Sequence, residues 1–238
     1  MGKIDNNTLN KRFSKLNTPQ IADACVRLGI DFKLAPPGIR TIIDGTRLAG
    51  RSRPVKHYGS VDIFFEAMLK SDIGDVLIID NKKRHDEGCI GDLTAIEAKV
   101  SGLAGIIVWG YHRDTMDLIK LGLPVFSYGS CPAGPLRIDL VESNALEQAD
   151  FGGNIITKDN VVFADEDGVI FTDWDKRTEI VSTAENILET ERKQAEEVSK
   201  GNLLRNQFHF EDFLKKRKNN PDFTFRKHLK IIGGAIEE

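Results

Sequence analysis

The sequence predicts an α/β protein built around a parallel sheet, and three observations carry that prediction. Apolar runs of strand length, Val76–Ile79 and Ile106–Trp109, are separated by segments with helical spacing. Glycines stand where those helical segments should stop, at Gly29, Gly102 and Gly122. Helix and strand alternate at short intervals from Gly74 to Phe126, the pattern of crossover connections. At 238 residues the chain is long enough for one large domain, or one domain with an appendage. Its apolar runs fall far short of the ~20 residues that span a bilayer.

The elements follow in order. Thr18 and Pro19 read as N-cap and first turn of a helix with Ile21, Ala24, Cys25 and Leu28 at helical spacing. Residues 31–60 hold Pro36, Pro37, Gly38, Gly45, Gly50 and Pro54, so loops there join short strands. Ile63–Leu69 reads as a second helix, and Gly74-Asp75 opens the strand Val76–Ile79. Asp92–Ser101 reads as a helix whose apolar positions are Leu93, Ile96 and Val100. Then come a strand at Ala104–Trp109, a helix at Arg113–Leu121 and a strand starting Pro124-Val125-Phe126. Asn160–Phe163 and Gly168–Thr172 form a hairpin across an acidic turn. A long helix runs from about Asp175 to Lys200, with Ile180, Ala184, Ile187, Leu188, Ala195 and Val198 on its stripe. Glu191 falls in line with that stripe. Either the helix edge reaches solvent there, or a cationic group meets the carboxylate across an interface.

Charge is segregated along the chain. Overall 33 Lys and Arg face 36 Asp and Glu, yet residues 201–230 carry eight basic against three acidic residues. Such an arm suits nucleic acid, an acidic partner or a neighbouring subunit. Phe208, Phe210, Phe213, Phe223 and Phe225 lie among its charges, and aromatics at that density pack, which argues against a nucleic-acid tail. Cys25, Cys89 and Cys131 make neither a disulfide framework nor a zinc knuckle. Met1–Asn7 lacks the apolar stretch of a signal peptide, so a cytoplasmic protein is expected.

Phosphate loops, dinucleotide fingerprints, HExxH and GxSxG are absent, and no histidine pair has zinc-ligand spacing. Two segments remain. Gly91-Asp92-Leu93-Thr94 stands at a helix start, where unpaired N–H groups seat a carboxylate or phosphate, or where Asp92 simply caps the helix. Gly110-Tyr111-His112-Arg113-Asp114 follows an apolar strand, at the edge where parallel sheets bind ligands. There Arg113 can clamp a carboxylate and Asp114 can offer oxygen to a hard cation, or Asp114 can cap the next helix while Arg113 makes a surface ion pair.

Taken together, Gly91-Asp92-Leu93, Gly105, Arg113-Asp114 and Pro124-Val125-Phe126 resemble the class II pyruvate aldolases that cleave 4-hydroxy-4-methyl-2-oxoglutarate. That family includes a noncatalytic relative, the regulator of ribonuclease E activity A. Gly74–Asp80 and Asp165–Val169 resemble further landmarks, so the likeness runs from about Thr18 to Gly201. It implies a compact α/β sandwich similar to swivelling phosphohistidine domains, with a catalytic domain over 1–175 and a C-terminal helix and assembly arm over 176–238. It also implies a divalent metal, Mg²⁺ or Mn²⁺, held by Asp114 directly and by Asp92 through water. Arg113, with the backbone of Gly91, Asp92, Leu93 and Thr94, would hold the pyruvyl carboxylate. A neighbouring subunit of a homotrimer or hexamer would add an outer glutamate, Glu191 or, by a different alignment, Glu189 or Glu185. The implied reaction is retro-aldol release of pyruvate through a metal-stabilised enolate, with oxaloacetate decarboxylation as a side activity.

Departures from the family pattern are Trp109, where the family has aspartate before the retained Gly110, and the basic loop Lys82-Lys83-Arg84-His85. The loop favours a substrate with an extra anionic group, which His112 could also touch. The alternatives are a noncatalytic regulator that binds a ribonuclease or another protein, and a Schiff-base aldolase. The second lacks a lysine in an apolar setting. The basic arm is expected to lie on an acidic neighbour within the oligomer.

Overall fold

A computed structural model describes residues 3–233. Its elements are α1 (Asn6–Phe13), α2 (Thr18–Leu28), β1 (Phe32–Leu34), β2 (Arg40–Thr41), β3 (Leu48–Lys56), α3 (Asp62–Leu69), β4 (Val76–Asp80), β5 (Gly88–Ile90), α4 (Asp92–Val100), β6 (Gly105–Trp109), β7 (Tyr111–His112), α5 (Thr115–Leu121) and β8 (Val125–Ser127). They continue with β9 (Gln148–Phe151), β10 (Asn154–Thr157), β11 (Asn160–Asp165), β12 (Gly168–Asp173), α6 (Arg177–Ser199), α7 (Leu204–Gln207), α8 (Phe210–Asn219) and α9 (Phe225–Ile232). No described helix is long and apolar enough to cross a membrane.

Eight strands form one curled sheet in the order β1-β12-β11-β3-β4-β6-β8-β2. The middle, β3-β4-β6-β8, is parallel, as the alternation predicts; β11 and β12 are the expected hairpin. Along β4 the side chains split by parity. Leu77 and Ile79 enter one core with α3, α4 and α5, and Val76 and Ile78 enter another with Phe126, Phe151 and Phe171. Both faces are buried, which is why the run reads as uniformly apolar. A third core joins α1, α2 and α6 to β11 and β12 through Phe13, Ile21, Phe163, Ile180 and Ile187.

Several expectations need correction. The cap of α2 is Asn17, not Thr18: Asn17 Oδ1 accepts from Gln20 N–H, and Gln20 Oε1 accepts from Asn17 N–H, a reciprocal box. Helix α5 begins at Thr115, because Arg113 belongs to the turn and Asp114 adopts a left-handed conformation. In α4 the buried residues are Thr94, Ala95 and Ala98, while Leu93, Ile96 and Val100 face outward. Small residues let α4 approach the sheet closely, which turns its large side chains to solvent.

Beyond α6 the arm folds on itself. Phe213, His228 and Leu229 are buried in it, Phe225 packs edge-on to Phe208 and Phe210, and the Arg217 guanidinium lies 4.9 Å from the Phe213 ring centroid. His228 Nε2 donates to the Phe208 carbonyl at 2.8 Å.

Candidate active site

Three stretches of chain meet at the carboxyl edge of the parallel strands. Short strands β5 and β7 pair in parallel, and Arg113 N–H donates to the Ile90 carbonyl at 2.9 Å. This brings the start of α4 against the start of α5. Segment 131–134 closes on both strands, with Cys131 N–H donating to the His112 carbonyl and Gly88 N–H to the Ala133 carbonyl, each at 2.8 Å.

The two predicted segments therefore come together. Asp114 Oδ2 lies 3.4 Å from Asp92 N and 3.4 Å from Arg113 Nε. The position of Asp114 before α5 is that of a cap, but among the described residues its side chain makes no capping bond. Its φ of 60° is unusual for a residue with a Cβ, and such strain gathers at functional sites. Burial is incomplete: the side chains of Arg113 and Asp114 keep 47% and 36% exposure. Asp92 uses Oδ1 to accept from Leu93 N–H at 2.7 Å.

Two glycines shape this cradle. A Cβ on Gly91 would sit 2.3 Å from Asp114 Oδ2 and 3.1 Å from Arg113 Nε, and one on Gly134 would sit 2.9 Å from Arg113 Nη1. A side chain at either position would push the Arg113 guanidinium or the Asp114 carboxylate aside, so both glycines leave these groups where they stand. At the start of α4, where the Gly91 cap has no side chain, the Leu93 N–H is taken by Asp92 Oδ1 at 2.7 Å and the Asp92 N–H points toward Asp114 Oδ2 at 3.4 Å, so a ligand anion would compete with these two side chains for the turn's N–H groups. A carboxylate could be received by this set. The oxygen donors Asp114 and Asp92 suit a hard cation that keeps several waters. No group of three or more His, Cys, Asp or Glu that could hold a metal occurs among the described residues.

Glu191 does not join Asp92 and Asp114 in the same chain. It sits on α6, in the other helical group, and accepts from Gln20 Nε2 at 2.7 Å. Glu185 is held by Arg12 at 2.6 Å, and Glu189 pairs with Lys193 at 2.6 Å. His112 is buried with Nδ1 2.7 Å from Ser127 Oγ and Nε2 2.9 Å from Thr115 Oγ1. Both ring nitrogens are engaged, and burial lowers its pKa, so it anchors the turn rather than touching a ligand. Part of the basic loop's charge is met by carboxylates: Lys82 lies 3.7 Å from Glu142 and Arg84 lies 2.5 Å from Asp86, while Lys83 keeps its charge over the Tyr128 ring. Trp109 stacks on Phe151 with centroids 5.9 Å apart, so the residue that departs from the family pattern serves the core.

Sequence reasoning missed a buried polar network beside the site. Arg137 grips Glu87 through Nη2 at 2.9 Å and Nε at 3.3 Å, and Nη2 also donates to Asn81 Oδ1 at 2.9 Å. His57 Nδ1 is 2.8 Å from the same Asn81 oxygen; since that oxygen accepts from Arg137, His57 Nδ1 carries the proton. Arg and Glu in a loop look like surface charges, and only their partners reveal them as buried. Elsewhere, a cavity of about 800 Å³ lies beside α3, where Lys70 pairs with Glu66, while Arg53 and Glu142 are held by Asp75 and Lys56 from outside its lining.

A family model described as RraA-like, aldolase/RraA, matches residues 18–171. A protein of Methanocaldococcus jannaschii with no assigned function is 30% identical over 128 residues, which are 54% of this chain and 61% of that one. The chain thus matches less than two thirds of that relative's length. A protein of Aromatoleum aromaticum given the provisional name 4-hydroxy-4-methyl-2-oxoglutarate aldolase is 27% identical over 65% of this chain and 96% of its own. Among solved structures, a Pseudomonas syringae protein superposes with a TM-score of 0.70 at 25% identity, over 84% of this chain and 96% of that one. A Streptomyces coelicolor member of the RNase ES inhibitor RraA family shares the fold with a TM-score of 0.66 at 24% identity, over 84% and 98% of the two chains. With the matched region spanning the cradle and both sheet halves, the chain belongs to the RraA-like aldolase family.

Proposed function

We propose that this protein is a divalent-metal-dependent lyase that cleaves a 4-hydroxy-2-oxo acid to pyruvate and also decarboxylates oxaloacetate. The observation that carries this reading is the left-handed Asp114, whose carboxylate leaves its own helix uncapped and faces Gly91, Asp92 and Arg113. Arg113 and the first N–H groups of α4 would bind the pyruvyl carboxylate. Asp114 and a water on Asp92 would hold Mg²⁺ or Mn²⁺, which when bound polarises the keto oxygen. Leu93 and Thr94 would contribute backbone to the carboxylate seat, the Leu93 N–H once Asp92 Oδ1 turns from it. A glutamate of α6 from a neighbouring copy, Glu191 in the first instance, would complete the outer shell of a homotrimer or hexamer, and the basic arm would lie on an acidic face of that assembly.

Pyruvate release across a panel of 4-hydroxy-2-oxo acids and oxaloacetate, with Mg²⁺, Mn²⁺ or EDTA, tests the reading. Activity is expected only with metal, and Asp114→Ala and Arg113→Ala should each cost at least about 100-fold. If both variants decarboxylate oxaloacetate as well as the parent, the site lies elsewhere. A second reading, a noncatalytic regulator, draws on the outward-facing Leu93, Ile96 and Val100, which offer a protein partner an apolar surface. It predicts no metal-dependent turnover on any of these acids.

A further inference from the structure

Residues 136–140 present an unusual division of labour. Leu136, Ile138 and Leu140 are 99%, 72% and 94% exposed, so the aliphatic side chains of this extended segment do nothing to hold it to the protein. Of the side chains between them, Arg137 points inward and binds Glu87 and Asn81, while the exposed Asp139 pairs with Arg137 from the solvent side. Glu87 is almost fully buried and immediately precedes β5, which leads into Gly91. Three residues before Arg137 stands Gly134, against Arg113 Nη1. One guanidinium therefore ties the wall behind Arg113 to the strand that delivers the Gly91 cradle.

We propose that Arg137, through its forked bond to Glu87, is a positioning residue for the carboxylate-binding guanidinium of Arg113, an inference that rests on the site reading given above. The physical case is preorganisation. Arg113 is half exposed and carries many rotamers, and a fixed Gly134 backbone removes some of them before a ligand arrives. Backbone bonds at Ala133 and Asp139 bracket the segment, Gly88 N–H to Ala133 O and Asp139 N–H to Tyr58 O, both at 2.8 Å. Between them Arg137 is the inward anchor. Because its planar fork meets both carboxylate oxygens, lysine cannot replace it geometrically.

The test uses the full chain and oxalate with Mg²⁺ as the probe, a planar dicarboxylate that presents the carboxylate and adjacent oxygen of pyruvate. Arg137→Met alone leaves the buried Glu87 with only the longer contact to Arg84 at 3.5 Å and risks misfolding, so Arg137→Met/Glu87→Gln, which removes both charges, is measured beside it. The double variant is expected to weaken oxalate binding about tenfold or more and to raise KM for oxaloacetate more than it lowers kcat. Added to Arg113→Lys, it should cost far less than alone, because both changes act through one guanidinium. Arg137→Lys should recover only part of the loss. Amide hydrogen exchange without ligand should quicken at residues 86–92 and 131–139 in the double variant. Unchanged oxalate affinity, or full additivity with Arg113→Lys, overturns the proposal while leaving the site reading intact. If the parent itself binds no oxalate, the site reading fails, and with it the ligand-positioning role; exchange that still quickens would then mark Arg137 as a purely structural latch.

Discussion

The two helical groups on the outside of the sheet bury opposite kinds of side chain. In the group of α1, α2 and α6, the large residues point inward: Phe13, Ile21, Ile180 and Ile187 are buried, and the rims are tied by pairs such as Arg12–Glu185. In the group of α4 and α5, Ala95, Ala98 and Leu118 meet the sheet, while Leu93, Val100 and Met116 stand in solvent at 76%, 82% and 65% exposure. The core of the first group is finished within one chain. The second leaves large apolar side chains in solvent, and the candidate site sits where its two helices begin, with Asp92 beside Leu93 and Asp114 two residues before Met116. The exposed apolar face and the cradle are therefore neighbours.

Substitutions can break this contrast. Ile180→Ala, in the finished group, should lower unfolding stability by about 2–5 kcal/mol in urea titrations, since the cavity cannot be refilled from solvent. Gly91→Ala should leave the urea midpoint near the parent's, because the atom it meets is the end of the Asp114 side chain, yet cut metal-dependent pyruvate release by about 100-fold. Arg12→Ala should cost about 1 kcal/mol or less, as the pair is partly exposed. Leu93→Ser with Val100→Ser should move a protomer's stability by no more than about 0.5 kcal/mol but shift sedimentation toward smaller species, if the face is an assembly surface.

A pH series sharpens the picture beside the site. Burial lowers the pKa of His57, helped by the charge of Arg137 and opposed by the bond to Asn81 and the charges of Glu87 and Asp139. The unfolded chain therefore binds more protons than the folded one just below the ordinary histidine pKa of about 6.5. Stability is fully present above that value and should fall as pH drops below it. Urea midpoints from pH 7.5 downward check the sign, and His57→Gln should flatten part of the slope.

Much of the sheet was legible because its signals are local. β4 and β6 are apolar runs between glycine stops, and the β11–β12 hairpin announces itself by an acidic turn. The helix starting at Thr18 and the long helix α6 likewise have period and punctuation. β5 and β7 were not legible, since three and two residues carry no periodicity; they are strands only because distant chain aligns them. The outward face of α4 runs against its sequence pattern, because the large apolar residues Leu93, Ile96 and Val100 face solvent while Ala95 and Ala98 pack on the sheet. Asp92, Arg113 and Asp114 were picked out by residue type and spacing, and the structure brings them together. Gly134, Glu87 and Arg137 were invisible, because a missing side chain or a buried charge has no signature until its neighbour is known.

The meeting of three chain stretches at Arg113 has a consequence for how the molecule comes into being. Residues 88–92, 111–115 and 131–137 must all dock before the cradle has its shape, and none can approximate it alone. Such nonlocal closure is slow compared with helix formation or hairpin zipping. During synthesis the growing chain can pair β4 with β6 while still lacking Arg137, so binding competence should arrive late, after much of the sheet has been laid down.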